Sequence, residues 1–573
     1  MSEVSGSKVT HNYADFRGVD FTDEEVSINR SPDALNMWKN YHKLGKCIET
    51  RPELELISEY DYPVYGMFFY KVGNRKIFVV HSGVYLYKEE SNVKTQIYSG
   101  MNPKKSKMFV YNNILYILDG LHYLQYDGTQ IKEVEGFVPT TSISMQPNGG
   151  GISYQGANLL TGMRKNTFCA DGESTEYHLD SANEAIDTNY VPVVTINGTT
   201  ADTSTYSVNY TNGIITFQTA PAEPDTIGQD NVEIKFKKTI PGYRNRIDHC
   251  TIAVEFDNRI FFTGNADYPT TIFHGELYDP TYIDSNNYYT DGVDDAPIKS
   301  MITGNNALWV FKEPNQSNTS IFYHLPTTYL DNTDLINKAY TSTHSSISTG
   351  CVADAVNFND DICFFSDRGM EAITSDITTE QAISHRSALI DSKLLKESNY
   401  KKLLLAEWEG YLLVMVDNHV YLANSNESYL NNARYEWFYW EFSKTPKSVL
   451  VKDNVLYIGA EDGIYSLTDF SKNRRVSSYW TTPYDEFGYP QYQKSTNKRG
   501  SVSDIIGDNI KMYVSSDKNE FEWFKTHTDI KGYAVNKIKK KKWKGIQLQF
   551  RSSKPFELYS CTLEAYIGGY LKR

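Results

Sequence analysis

What the 573-residue sequence lacks narrows it first. No apolar run approaches the ~18 to 20 residues of a membrane-crossing helix. One of the longest, LLLAEWEGYLLVMV at 403–416, is broken by Glu407 and Glu409. No membrane span is expected. The opening MSEVSGSKVTHNYADF has no basic segment leading into an apolar one, so export by a cleaved signal is not expected and synthesis in the cytoplasm is. Six cysteines (Cys47, Cys169, Cys250, Cys351, Cys363 and Cys561) form no CxxC pair and read as reduced, buried apolar residues. Twelve histidines are dispersed without HExxH or HxH, so no metal and no other cofactor is expected. GxSxG, a P-loop and a strand-to-helix GxGxxG are also missing, which removes the hydrolases, nucleotidases and dinucleotide enzymes that carry them. Positive charge is in deficit: 57 Lys and Arg against 71 Asp and Glu give −14. That balance opposes wrapping of nucleic acid, though not a channel through which DNA slides without sticking.

What the chain has is aromatic residues and turns. Its 44 tyrosines, 14% aromatic content and many Asn and Gly predict strands joined by tight turns. One phrase recurs: an apolar strand, a short Asn, Asp or Gly turn, a second apolar strand, another turn, then an aromatic strand. VYNNILYILDGLHYL (110–124) and VKDNVLYIGAEDGIYSL (451–467) align almost position for position. Weaker copies start near 67, 250, 300, 351 and 403, making about seven units with hairpin signals such as Asn112-Asn113, Asp257-Asn258 and Asp119-Gly120. Repeated units of roughly 30 to 45 residues of antiparallel strand predict a β-propeller, because one blade cannot bury both its faces. The N-terminal segment is a candidate to donate a closing strand.

One interval breaks the spacing. Residues 159–239 hold strands near TEYHL, VPVVTI, YSVNY, GIITFQTA and NVEIKFKK and read as a β-sandwich inserted in a propeller loop, with PNGGG (147–151) as a flexible hinge leading into it. AISHRSALIDSKLLKES, within 378–402, has the best helical spacing and predicts a surface helix. The expected fold is all-β: a propeller of about seven blades with an inserted and a C-terminal β-sandwich. Its parts are an N-terminal arm and ring-docking segment at 1–58, blades one and two at 59–145, the insertion at 146–242, blades three to seven at 243–475, and the C-terminal sandwich at 476–573. Around Trp543 in that last part lie Lys537, Lys539, Lys540, Lys541, Lys542 and Lys544. Strand alternation would put odd lysines on one face and even ones on the other. Such a run either protects a solvated edge or contacts DNA or an acidic neighbour.

Catalytic constellations are sparse. The sialidase-type box Ser-x-Asp-x-Gly-x-x-Trp is approached only by Ser366-Asp367-Arg368-Gly369, without the tryptophan, and Asp291, Asp294 and Asp295 read as loop residues. No enzymatic activity is expected; a propeller glycosidase is the enzymatic alternative.

Residues 15–57, DFRGVDFTDEEVSINRSPDALNMWKNYHKLGKCIETRPELELI, resemble the opening of bacteriophage virion proteins related to the tail tubular protein B, or nozzle, of short-tailed phages. The matching positions are Asn36, Trp38, Gly45, Arg51 and Pro52. The stretches 479–500 and 563–573 look like a subset from phages of Gram-positive hosts, often labelled structural or stabilisation protein. The resemblance implies a virion component of the tail or head–tail neck. It implies a ring of copies, sixfold in the short-tailed relatives, beside neck, tail or portal-adaptor proteins, with transient passage of genomic DNA. A carbohydrate- or receptor-binding tail protein is the alternative in the same setting.

Overall fold

The computed structural model describes residues 6–570 apart from 23–24, 42–46, 92, 181–184, 294–295, 318, 331–335, 375–382, 426–434, 470–474 and 497–499. Seven four-stranded sheets are the blades of a β-propeller. The turn joining the first two strands of a blade explains the recurring Asx pairs. Asn112 and Asn113 have φ of 48° and 61°, Asp257 and Asn258 48° and 58°, Asn305 and Asn306 51° and 59°, and Asp453 and Asn454 51° and 61°. Two successive left-handed residues make the turn whose twist matches a hairpin, and Asn and Asp tolerate that region best after glycine. The chain divides into two compact units, Phe68–Ser345 and Met1–Met67 with Ser346–Arg573.

The unit Phe68–Ser345 carries blades one to four and the inserted sandwich. A six-stranded sheet built on Thr140–Met145, Met163–Phe168 and Val232–Lys237 accompanies a three-stranded sheet of Glu176–His178, Ile214–Phe217 and Tyr206–Asn209. Their shared core includes Met145, Phe168, Tyr177, Phe217, Ile234 and Phe236. The domain starts at Thr140, earlier than the sequence places it. PNGGG is a turn within it and no hinge. Gly149, Gly150 and Gly151 take φ of 101°, 83° and 97°, and a Cβ on Gly151 would lie 2.5 Å from Met145 Cγ. Between Thr140–Met145 and Met163–Phe168 the chain dips back to the propeller. Buried Asn158 donates to the carbonyls of Phe137 (2.9 Å) and Thr281 (2.8 Å) and accepts from the N–H groups of Leu160 and Ile283, both 3.1 Å. Leu159 and Leu160 join Ile247, Phe262 and Ile283 in a blade core.

The other unit carries blades five to seven and the C-terminal sandwich. Blade seven consists of Ser448–Lys452, Val455–Gly459, Gly463–Asp469 and, as closing strand, Glu53–Glu59. Lys8–Tyr13, Ala34–Leu35, Met37–Trp38 and Ile48–Thr50 correct the expected arm, because they are strands of the C-terminal sandwich. Lys8–Tyr13 and Ile48–Thr50 pair with Phe556–Tyr570, and Ala34–Leu35 pairs with Ser478–Thr481. The reason is length: Phe556–Tyr570 runs 15 residues, and no single partner covers it. The expected helix is also corrected. Ile383–His385 is the outer strand of blade five, and among the described residues of this stretch only Asp391–Leu394 is α-helical. The apolar spacing came from one strand and one turn whose Leu389, Ile390 and Leu394 enter the same core. Residues 375–382 lie outside the described part.

Candidate assembly surface

The residues that carry the phage resemblance meet at one place, and it is an interior. Asn36 takes φ 56°, which lets its carboxamide face back across the unit. Its Oδ1 accepts from Arg51 Nε (2.8 Å) and from the Glu441 N–H (2.9 Å), and its Nδ2 donates to the Ser477 carbonyl (2.8 Å). Arg51 also donates to the carbonyls of Pro52 (2.6 Å) and Glu441 (2.7 Å), and its guanidinium lies over the Phe442 ring at 5.2 Å. Trp38 stacks on Trp408 at 5.4 Å and meets Trp440 edge-on at 5.5 Å. Asn36, Trp38 and Arg51 are 5%, 1% and 4% exposed, and Pro52 is buried. A docking role for these four side chains is therefore corrected. They fasten the N-terminal segment to blade six and to the strand that opens the C-terminal sandwich. A buried guanidinium is tolerable there because its donors are spent on oxygens. Gly45 lies outside the described residues.

The lysine run is a surface. Lys537, Lys539, Lys541, Lys542 and Lys544 are exposed, whereas Ile538 and Trp543 are 1% exposed. Strict alternation fails at Lys542. It has φ 58°, and the pairing of Lys541–Trp543 with Tyr492–Ser495 shifts there. That bulge turns Lys541 and Lys542 both outward, since one extra residue breaks the two-residue period. Lys540 pairs with Glu522 (2.5 Å) and Lys544 with Glu486 (3.2 Å). Lys537, Lys539, Lys541 and Lys542 have no carboxylate within ion-pair distance among the described residues. Beneath them sits a group that sequence reasoning missed. Lys494 is 1% exposed and donates to the carbonyls of Tyr489 (2.7 Å), Tyr492 (3.0 Å) and Lys544 (2.7 Å). Burial lowers its pKa from the ordinary lysine value. Nothing in the sequence distinguishes it from a surface lysine.

The acidic and histidine groups outside this surface are partly buried in pairs. Asp291 and His324 are wholly buried as a 2.8 Å pair, and Ser342 donates to the same carboxylate. Asp294 and Asp295 lie outside the described residues. His385 sits between Asp391 and Glu371; the hydrogen bond to Asp391, then that to Glu371, raise its pKa to about 9. Ser366-Asp367-Arg368-Gly369 is a hairpin turn in which the Arg368 N–H donates to Ser366 Oγ at 3.0 Å. Among the described residues no group of three or more His, Cys, Asp or Glu is placed to hold a metal ion. A hollow of about 370 Å³ along blades five to seven is lined mainly by apolar side chains, including Leu405, Leu412, Val449 and Val451, with Glu407 its one ionisable residue.

No protein-family model matches the chain, and no curated protein does. Solved structures with related folds include a putative 6-phosphogluconolactonase from Bacteroides uniformis, at 7% identity over 62% of this chain and 88% of that one, TM-score 0.27. Another is the WD40 domain of SCAP from fission yeast, at 9% identity over 73% and 98%, TM-score 0.25. An exo-β-1,3-galactanase from Phanerochaete chrysosporium matches at 8% identity over 89% and 100%, TM-score 0.21. Likenesses this distant carry no substrate or partner to this chain.

Proposed function

We propose that the chain is a structural protein of a tailed bacteriophage virion, a ring-forming neck or tail-tube component that lines or closes the conduit for DNA ejection. The observation that carries this reading is the convergence of Asn36, Trp38, Arg51 and Pro52 on one buried fastener. The positions behind the phage resemblance thus act as a set. An acidic chain of −14 supports it further, since DNA can pass a repelling wall without the counterion release that holds it in place. In this reading the partners are other copies of the chain, in the sixfold ring of the short-tailed relatives, and the adjoining neck or tail proteins.

The test is the native mass of the purified protein by light scattering, with electron microscopy of intact particles labelled against it. A ring, or label on the particle axis at the neck or tail, is expected. Label on fibres or on the capsid exterior would overturn the reading. A carbohydrate- or receptor-binding tail protein is the second reading, favoured by the exposed rings of Trp523 and Tyr533, 62% and 79% accessible. Glycan binding competed by free sugar and lost in W523A would establish it instead.

A further inference from the structure

Charge is segregated along this chain. Residues 476–573 hold 17 Lys and Arg against 10 Asp and Glu, whereas residues 1–475 hold 40 against 61. The basic part presents its excess beside an unfinished sheet edge. Ile530–Asn536 pairs with Ser501–Gly507 on one side only among the described residues. It exposes Tyr533 (79%) and Val535 (48%) and runs directly into Lys537 and Lys539. Open edges with exposed apolar side chains are templates for association, and proteins normally blunt or cover them.

A complementary feature stands on the acidic part. In the inserted sandwich, residues 222–230 form a loop whose base is held by Asn231 Nδ2 donating to the Ala222 carbonyl at 2.9 Å. Its apex is a turn closed by the Gln229 N–H and the Thr226 carbonyl at 3.1 Å, with Gly228 at φ 82°. That turn displays Ile227, which is 100% exposed. Glu223 and Asp225 on the same loop are exposed and have no cation within ion-pair distance among the described residues. A fully exposed isoleucine on an ordered turn, flanked by carboxylates with no cation partner among the described residues, makes no buried contact in its own domain. It matches an apolar edge flanked by free lysines.

We propose that this loop of one copy docks on the C-terminal edge of a second copy. Ile227 lies against the Tyr533 and Val535 edge, and Glu223 and Asp225 face the lysines at 537–542. Two different patches meet in such a contact, so it is heterologous, the kind of contact that builds a ring where its rotation closes and an open filament where it does not. The inference rests on the ring-forming reading above and supplies the surfaces that reading leaves unnamed.

The experiment measures the light-scattering mass of the full chain at low and high salt, for wild type and four variants. K539E/K541E/K542E and E223K/D225K are each expected to fall to the protomer mass, and their combination to restore the assembly, because the charges are then exchanged. I227D should weaken association at least about tenfold, the scale of losing one buried aliphatic contact. All these side chains are exposed, so melting temperatures should stay within about 2 °C of wild type. An assembly that forms in wild type and ignores both charge reversals would overturn the interface and leave the ring standing. A wild type that is monomeric at every salt, with label off the particle axis, would overturn both. Oligonucleotide binding lost in the lysine variant while its assembly persists would assign the edge to nucleic acid and overturn the proposal.

Discussion

The two sandwiches of this protein are built in opposite ways. The inserted one takes its strands from a single stretch, Thr140–Met145 through Val232–Lys237, and has a core of its own around Phe168 and Ile234. The C-terminal one takes strands from residues 8–50 as well as from 478 onward. Its core side chains, such as Phe550 and Leu563, belong to one cluster with Trp38, Trp408 and Trp440 of the N-terminal segment and blade six. Chain contiguity therefore divides an added module from an integral part. A contiguous domain can open alone, whereas a domain stitched from both ends of the chain ties its stability to the blades it shares a core with.

The largest expected effect breaks that stitching. Deleting residues 1–52 removes three strand partners of the C-terminal sandwich together with Trp38 and Arg51, and the product should be recovered only as aggregate. Soluble yield and circular dichroism measure this, and a soluble protein with a native melting transition would contradict the stitching. Next in size, Trp38→Ala opens a cavity under two other indoles and should cost about 3 to 5 kcal/mol. Phe168→Ala should cost a similar amount but only locally. Hydrogen exchange by peptide would then rise across 140–237 and remain unchanged in the blades. In W38A, by contrast, blade six, the N-terminal segment and the C-terminal sandwich should lose protection together. Lys494→Met, smaller again, strips three carbonyls of their donor and should cost about 1 to 3 kcal/mol, loosening peptides 489–495 and 538–545 first.

The repeat was legible because each blade writes its own local signal. Asn112-Asn113 and Asp453-Asn454 announce turns that the backbone adopts, and strands such as Val232–Lys237 alternate cleanly. Long-range pairing has no such signal. His11 opposes Leu563 across more than five hundred residues, and neither strand's pattern names the other. The helix expected near 390 failed because Ile383, Leu389, Ile390 and Leu394 mimic helical spacing while serving a strand and a single turn. At the site, the lysine run was visible as composition. The bulge at Lys542 that aims it, and the buried Lys494 beneath it, depend on tertiary contacts. Asn36, Trp38 and Arg51 were visible as a motif whose burial the sequence could not express.

Histidine chemistry sharpens the comparison further: burial lowers His81 and His274 in one unit and His527 in the other, whereas His385 in that other unit is raised. In Phe68–Ser345, burial lowers His81 and His274 to about 4, the His81 ring being held between Ser106 and the Gly83 carbonyl. A histidine whose folded pKa is depressed stabilises above its unfolded value near 6.5, and that stability is lost as pH falls through 4. Asp248 in the same unit, raised by burial to about 6, works the other way and offsets roughly one of the two. The net effect is a loss of stability as pH falls from 6.5 to 4. In the other unit His385, raised to about 9 by Asp391 and then Glu371, contributes fully below pH 6.5 and loses its contribution as pH rises through 9. Its side chain is 32% exposed, so screening holds that contribution to about 1 kcal/mol. Acid should therefore raise hydrogen exchange first in peptides of blades one and three, and alkali first in blade five around 369–394. In H385Q the alkaline step should vanish while the acid step remains. Equal loosening of both units at each extreme would show that global charge, and not these buried rings, sets the pH response.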